Sequence, residues 1–190
     1  MKPSGFEYYG YVICYVDDIL SISHSPDVTM EGIRARFTLK DNKVEEPIKY
    51  LGAQLSKMKD EFGNEFCTMS SSKYCKAAIT NVEERLALAG KRLPTKCKTP
   101  MVTNYVPEMD VTAELEADGI QYFQELIGVL RWACEIGRVD ILHETYLLST
   151  HLASPHIGHL EQVFHIFGYL KDSSKSKLGF DPGHPKIDID

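Results

Sequence analysis

Two adjacent aspartates, Asp17 and Asp18, interrupt an otherwise continuous run of β-type residues from Phe6 to Ser23. Tyr, Val and Ile dominate Phe6–Val16, and Ile19–Ser23 resumes the same character, so the chain must reverse at the acidic pair as a hairpin. Adjacent carboxylates at such a tip repel each other and call for a cation or another positive group nearby. A solvated acidic turn is the bland alternative for an isolated Asp-Asp pair.

The pattern then changes period. Asp27 to Phe37 reads as a short helix, with Met30, Ile33 and Phe37 at helical spacing and Asp27 as its cap. Ile48 to Lys57 reads as a strand, Asp60 to Asn64 as a turn around Gly63, and Glu65 to Met69 as the return strand. Ser70, Ser71 and Ser72 are placed to cap a helix that stops at Gly90. Leu93 to Gly119 is a proline-containing acidic connection. Three helical stripes follow: Phe123, Ile127, Leu130 and Cys134; Ile141, Leu148 and Leu152, stopped by Pro155; and Ile157, Leu160, Phe164, Phe167 and Leu170. The expected class is therefore α+β, with antiparallel hairpins first and helices after. Trp132, Phe164 and Phe167 are expected in the core.

Charge divides the chain differently. The net charge is −6, which argues against a uniformly basic nucleic-acid coat. Between Lys73 and Lys98, however, seven basic residues face only Glu83 and Glu84, whereas residues 101–140 carry two basic and eight acidic side chains. The five cysteines include no Cys-x-x-Cys pair, so neither a zinc ribbon nor a disulfide framework is indicated, and a reducing intracellular compartment is expected. No signal peptide is expected, and no apolar run is long enough to span a bilayer. His143, His151, His156, His159 and His165 crowd the last helices. Without a metalloprotease-type His/Glu spacing they read as helix-surface or capping histidines rather than a zinc site.

Tyr15-Val16-Asp17-Asp18 within a β-hairpin resembles the central motif of reverse transcriptases, and further blocks follow in the order of copia-type LTR retrotransposon polymerases. Phe37-Thr38-Leu39-Lys40-Asp41 is similar to the family's Phe-x-Met-Lys-Asp. Tyr50-Leu51-Gly52 resembles its primer-grip strand, Ser72-Lys73-Tyr74 the start of a thumb helix, and Thr99-Pro100 its Thr-Pro. Tyr122 to Leu130 resembles Tyr-Arg-x-Leu-Val-Gly-x-Leu. Gly137-Arg138-Val139-Asp140-Ile141 stands where Thr-Arg-Pro-Asp-Ile is usual, and Ser149, Pro155, His159 and Gly168-Tyr169-Leu170-Lys171 continue the match.

The resemblance implies a partial palm over 1–69 with the Tyr-Val-Asp-Asp hairpin and a primer-grip-like hairpin, a thumb-like helix and acidic linker over 70–119, and a helical thumb/connection region over 120–190. It implies RNA-directed DNA synthesis, with Asp17 and Asp18 as catalytic, metal-binding carboxylates for two Mg²⁺ ions, Mn²⁺ being the alternative. Lys40 would be the general acid toward pyrophosphate. Lys43 competes for that role, because the usual residues after the lysine are replaced. Tyr50, Leu51 and Gly52 would hold the primer strand. Tyr15 would line its end, and Lys73, Lys76, Lys91, Arg92, Lys96 and Lys98 would contact phosphates.

The implied partners are an RNA or DNA template with a DNA primer, a dNTP, and the rest of the retrotransposon polyprotein, in the cytoplasm within a virus-like particle and without a membrane. The family's further metal-binding aspartate lies well upstream of this hairpin, and its ribonuclease H domain begins near where this chain ends. The chain is therefore expected to lack an RNase H domain and polymerase activity by itself. The alternative is a non-catalytic nucleic-acid or protein-interaction remnant of such a polyprotein.

Overall fold

The computed structural model describes residues 11–16, 18–23, 25–39 and 44–180, and the chain divides into two compact units, Met1–Leu51 and Gly52–Asp190. The division falls after Leu51, inside the stretch that the resemblance assigns to a partial palm.

In the first unit, strands β1 (Tyr11–Tyr15) and β2 (Asp18–Ile22) pair antiparallel, with Tyr15 opposite Asp18 and Tyr11 opposite Ile22. The reversal is only two residues long, so Asp18 opens the return strand instead of sitting at the tip. Helix α1 (Pro26–Arg34) follows. Its N-cap is Ser25 and not Asp27; Pro26 starts the first turn, where its missing N–H costs nothing. Asp27 in the first turn and Arg34 in the last both complement the helix dipole. Met30 is buried, and a two-residue strand β3 (Lys49–Tyr50) closes the unit.

The expected single strand from Ile48 to Lys57 is broken. Leu51 and Gly52 have φ of 49° and 89°, the left-handed conformation of both central residues of a reversing turn. Gly accepts this without cost and Leu does not, so the break could not be read from residue types alone.

In the second unit, strands β4 (Ala53–Lys59) and β5 (Glu65–Ser70) form a hairpin. Its turn is built by Asp60, whose carboxylate accepts the N–H groups of Phe62 and Asn64, each at 2.8 Å, and the Asn64 amide at 3.0 Å. A third strand, β6 (Leu178–Phe180), pairs antiparallel on β5. That strand was not expected, because three residues around Gly179 carry no alternation to read.

Among the described residues, the rest holds four α-helices, α2 (Ser72–Leu88), α3 (Ala117–Glu135), α4 (Leu142–Ser149) and α5 (Ile157–Asp172), with short 3-10 turns at Pro107–Met109 and Val139–Ile141. Their apolar faces meet in one core containing Ile79, Phe123, Ile127, Leu130, Leu148 and Phe167. Fully burying each such side chain is worth about 1.5–3 kcal/mol. Phe167 is fully buried, whereas Trp132 and Phe164 are only half-buried.

The serine triplet does other work than expected. Ser71 is the N-cap of α2 but makes no side-chain capping bond. Ser70 and Ser72 pair through their hydroxyls at 2.8 Å, and Ser72 donates to the Ser174 carbonyl at 2.8 Å. The triplet thus ties the start of α2 to the chain just beyond α5.

Candidate nucleic-acid interface

The hairpin of the first unit presents an aromatic and a strained tip. Tyr15 is half exposed, and Val16 is 86% exposed with φ of 55°. A β-branched residue in the left-handed region is a genuine outlier, costing on the order of 1–3 kcal/mol. Such strain persists where the surrounding structure imposes it and is concentrated at functional sites. The Cys14 thiol makes a weak 3.9 Å contact as donor to the Val16 carbonyl. Asp17, Lys40 and Lys43 lie outside the described residues, as do Asp41 and Asn42.

Tyr50 belongs to the same unit, 32 positions after Asp18 in sequence. Its hydroxyl is shielded from solvent and has no hydrogen-bond partner among the described residues. Burial first, then the negative charge of Asp18 and of Cys14, push its ionisation above the ordinary tyrosine range. The fold therefore brings the first primer-grip-like residue within electrostatic reach of the second aspartate of the hairpin. Among the described residues, no group of three or more His, Cys, Asp or Glu is placed to hold a metal ion. The described side chains alone do not make a cage for Mg²⁺.

In the second unit, itself net acidic, the basic residues gather on α2 and the strap that follows it. Lys73, Lys76, Lys91, Arg92, Lys96 and Lys98 are all exposed, and none makes an ion pair among the described residues. Their positions follow from the apolar residues between them. On α2, Cys75 and Ile79 face the core, which turns Lys73 and Lys76 outward. In the strap after α2, Leu93 and Cys97 are buried and leave Lys91, Arg92, Lys96 and Lys98 in solvent.

The strap is fixed against α5. The Cys97 N–H donates to Asp172 at 2.8 Å, and Gly168 allows the close approach: a Cβ there would lie 2.6 Å from the Pro94 carbonyl oxygen and 2.9 Å from the Cys97 sulfur. Arg85, by contrast, is engaged internally. Its guanidinium lies 3.5 Å from the Tyr122 ring centroid and 3.6 Å from Glu125. Glu83 is paired with Lys171 at 2.6 Å.

Sequence reasoning gave no role to Arg138. Its buried guanidinium grips Asp140 through two hydrogen bonds of 2.8 and 2.7 Å and donates to the Ser173 hydroxyl at 2.6 Å. Tyr169 also donates to Asp140, at 3.0 Å. Burial raises the Asp140 carboxyl, but the Arg138 bonds and charge outweigh it and hold the group below the usual carboxylate range. This is an anchor between the turn after α3 and the end of α5. The adjacent Arg-x-Asp in the sequence was its only signal.

No helix among the described residues is long and apolar enough to cross a membrane. No family model matches the chain, and no solved structure does. A yeast protein named "Putative transposon Ty5-1 protein YCL074W", from Saccharomyces cerevisiae, is 28% identical over 178 residues, covering 91% of this chain and 52% of that protein. The chain thus spans about half the length of the curated relative it matches, and it is a distant homologue of a transposon protein.

Proposed function

We propose that the chain is part of the RNA-directed DNA polymerase of a copia-type retrotransposon, and that its own residues bind and position the primer–template. The reading is carried by one observation: Tyr50 and Asp18, from two motif blocks far apart in sequence, belong to one unit and lie within electrostatic reach of each other. The order of the remaining blocks and the transposon relative support it.

Palm and thumb are the parts this reading assigns to the hairpins and to the helices after Ser72. Tyr15 offers a ring against which the terminal primer base stacks, an interaction worth about 1–3 kcal/mol per base. The turn at Tyr50, Leu51 and Gly52 supports the primer backbone. The six exposed cations of α2 and its strap hold phosphates without reading sequence. In the complete enzyme Mg²⁺ would neutralise phosphoryl charge, and Asp17 and Asp18 would be carboxylates contributed by this hairpin.

A second reading, a nucleic-acid-binding module without catalysis, rests on the exposed cations of α2 and its strap alone. Both readings predict binding, but only the polymerase reading predicts recognition of a primer end. In a competition assay, the chain should prefer a duplex with a recessed 3′ end over a blunt duplex of equal length, and Tyr15→Ala should abolish the preference. Equal affinity for the two duplexes in the parent chain would contradict the polymerase reading.

A further inference from the structure

The acidic connection before α3 folds back onto the start of α5 and is fastened there by backbone bonds. Leu115 N–H donates to the Pro155 carbonyl and Ile157 N–H to the Ala113 carbonyl, both at 2.9 Å, and Gly158 N–H donates to the Thr112 hydroxyl at 2.9 Å. Asp110 organises the segment by accepting the Tyr105 hydroxyl, the Thr112 hydroxyl and the Thr112 N–H. Its carboxyl is held down at about 2, so it stays ionised throughout the range in which histidine titrates.

Histidines fill the space beneath. His159 is 2% exposed and has both ring nitrogens engaged: Nδ1 accepts the His156 N–H at 2.9 Å, which assigns the proton to Nε2, and Nε2–H donates to the Pro107 carbonyl at 3.0 Å. The His151 ring, from the turn after α4, stacks on His159 with centroids 4.1 Å apart, and its Nε2 is buried without a partner among the described residues. A neutral imidazole tolerates that position. An imidazolium there would carry an unpaired buried N–H donor on a charged ring.

We propose that His151 is the proton sensor of a latch, in which neutral His151, stacked on His159, keeps residues 105–116 docked on the N-terminus of α5 and protonation of His151 releases them. The groups facing His151 are His159 and His156 from the α5 side, and Glu108 and Asp110 from the docked segment. The carboxylates favour the proton. Burial and the two imidazoles oppose it and prevail, so His151 sheds its proton more readily than a free histidine of ordinary value 6.5. The sign follows: the docked state has its full stability above about pH 6.5 and loses it as pH falls below that value.

The test is amide hydrogen exchange on the 190-residue chain, expressed as protection factors at pH 7.5 and pH 5.0. Protection of Leu115, Ile157 and Gly158 should fall by about tenfold or more at the lower pH, while that of Leu126 and Leu130 in α3 holds. In His151→Phe, whose ring stacks without carrying a proton, the fall should shrink below about threefold; His151→Gln is a second non-titrating variant should the first not fold. An equal fall in the parent and the variants would overturn the proposal. So would pH-independent protection in the parent, or a loss shared evenly with α3.

Discussion

Arg138 and Asp140 hold each other through two parallel hydrogen bonds of 2.8 and 2.7 Å, with the Arg138 side chain only 4% exposed. The Asp140 side chain is 33% exposed, so the full 3–5 kcal/mol typical of an uncompensated buried charge applies when Arg138 is the partner left behind. Asp140→Leu, which strands the buried Arg138 charge, should therefore destabilise the chain by about 3 kcal/mol, and Arg138→Met, which leaves the partly exposed Asp140 alone, by a smaller amount. The double variant Arg138→Met, Asp140→Leu should recover much of the loss. Chemical denaturation of the four chains measures the coupling; additive losses would show that the pair does not act as a unit.

Three glycines separate close packing from helix propensity. A side chain at Gly168 would strike the Pro94 carbonyl, and one at Gly158 would strike the carboxylate of Asp110, itself fixed by Tyr105 and Thr112. Gly128, inside α3, has nothing within 4 Å of its would-be Cβ. Gly168→Ala and Gly158→Ala should each cost about 2 kcal/mol or more by overpacking. Gly128→Ala should add up to about 1 kcal/mol by helix propensity. Thermal midpoints report all three, and opposite signs for Gly128 and Gly168 are the expected result.

Acid should act on the second unit in two separate windows. The first opens below about pH 6.5 with His151, and the second belongs to Asp110. Burial raises the Asp110 carboxyl, but its bonds from Thr112 and Tyr105 and the nearby His159 outweigh burial. A depressed carboxyl stabilises the fold above its ordinary value of 3.8 and loses that effect as pH falls through about 2. Asp110→Asn should lower stability at pH 7 by about 1.5–3 kcal/mol, the range for hydrogen bonds to a charged group. It should also flatten the pH profile below about 4 and leave the histidine window in place. A profile unchanged below pH 4 would remove Asp110 from the account.

Local patterns were legible where one period held for several turns. Phe123, Ile127, Leu130 and Cys134 are all buried on α3, as their spacing requires. The two-strand hairpin at the acidic pair could also be read, although Asp18 proves to be the first residue of the return strand. What escaped depends on distant partners. β6 exists because Leu178–Phe180 finds the edge of β5, and Arg138 is buried because Ser173, 35 residues away, satisfies one of its donors. The histidines read as surface or capping groups, yet His159 caps α5 from inside the core, since residues 105–116 cover it. Of the site, the residue types of Lys73 to Lys98 already showed the local charge. The approach of Tyr50 to Asp18 had no local signal.

In the proposed function the exposed cations of α2 and its strap grip a nucleic-acid backbone. The affinity for a primer–template duplex across a salt series measures that grip. Each phosphate contact releases counterions, so log K should fall linearly with log salt, with a slope of about −0.9 per contact. Lys73→Glu with Lys76→Glu removes two contacts and should weaken binding while making the slope shallower by about 2. If the double substitution leaves both affinity and slope unchanged, the duplex does not lie on this face and the account is wrong.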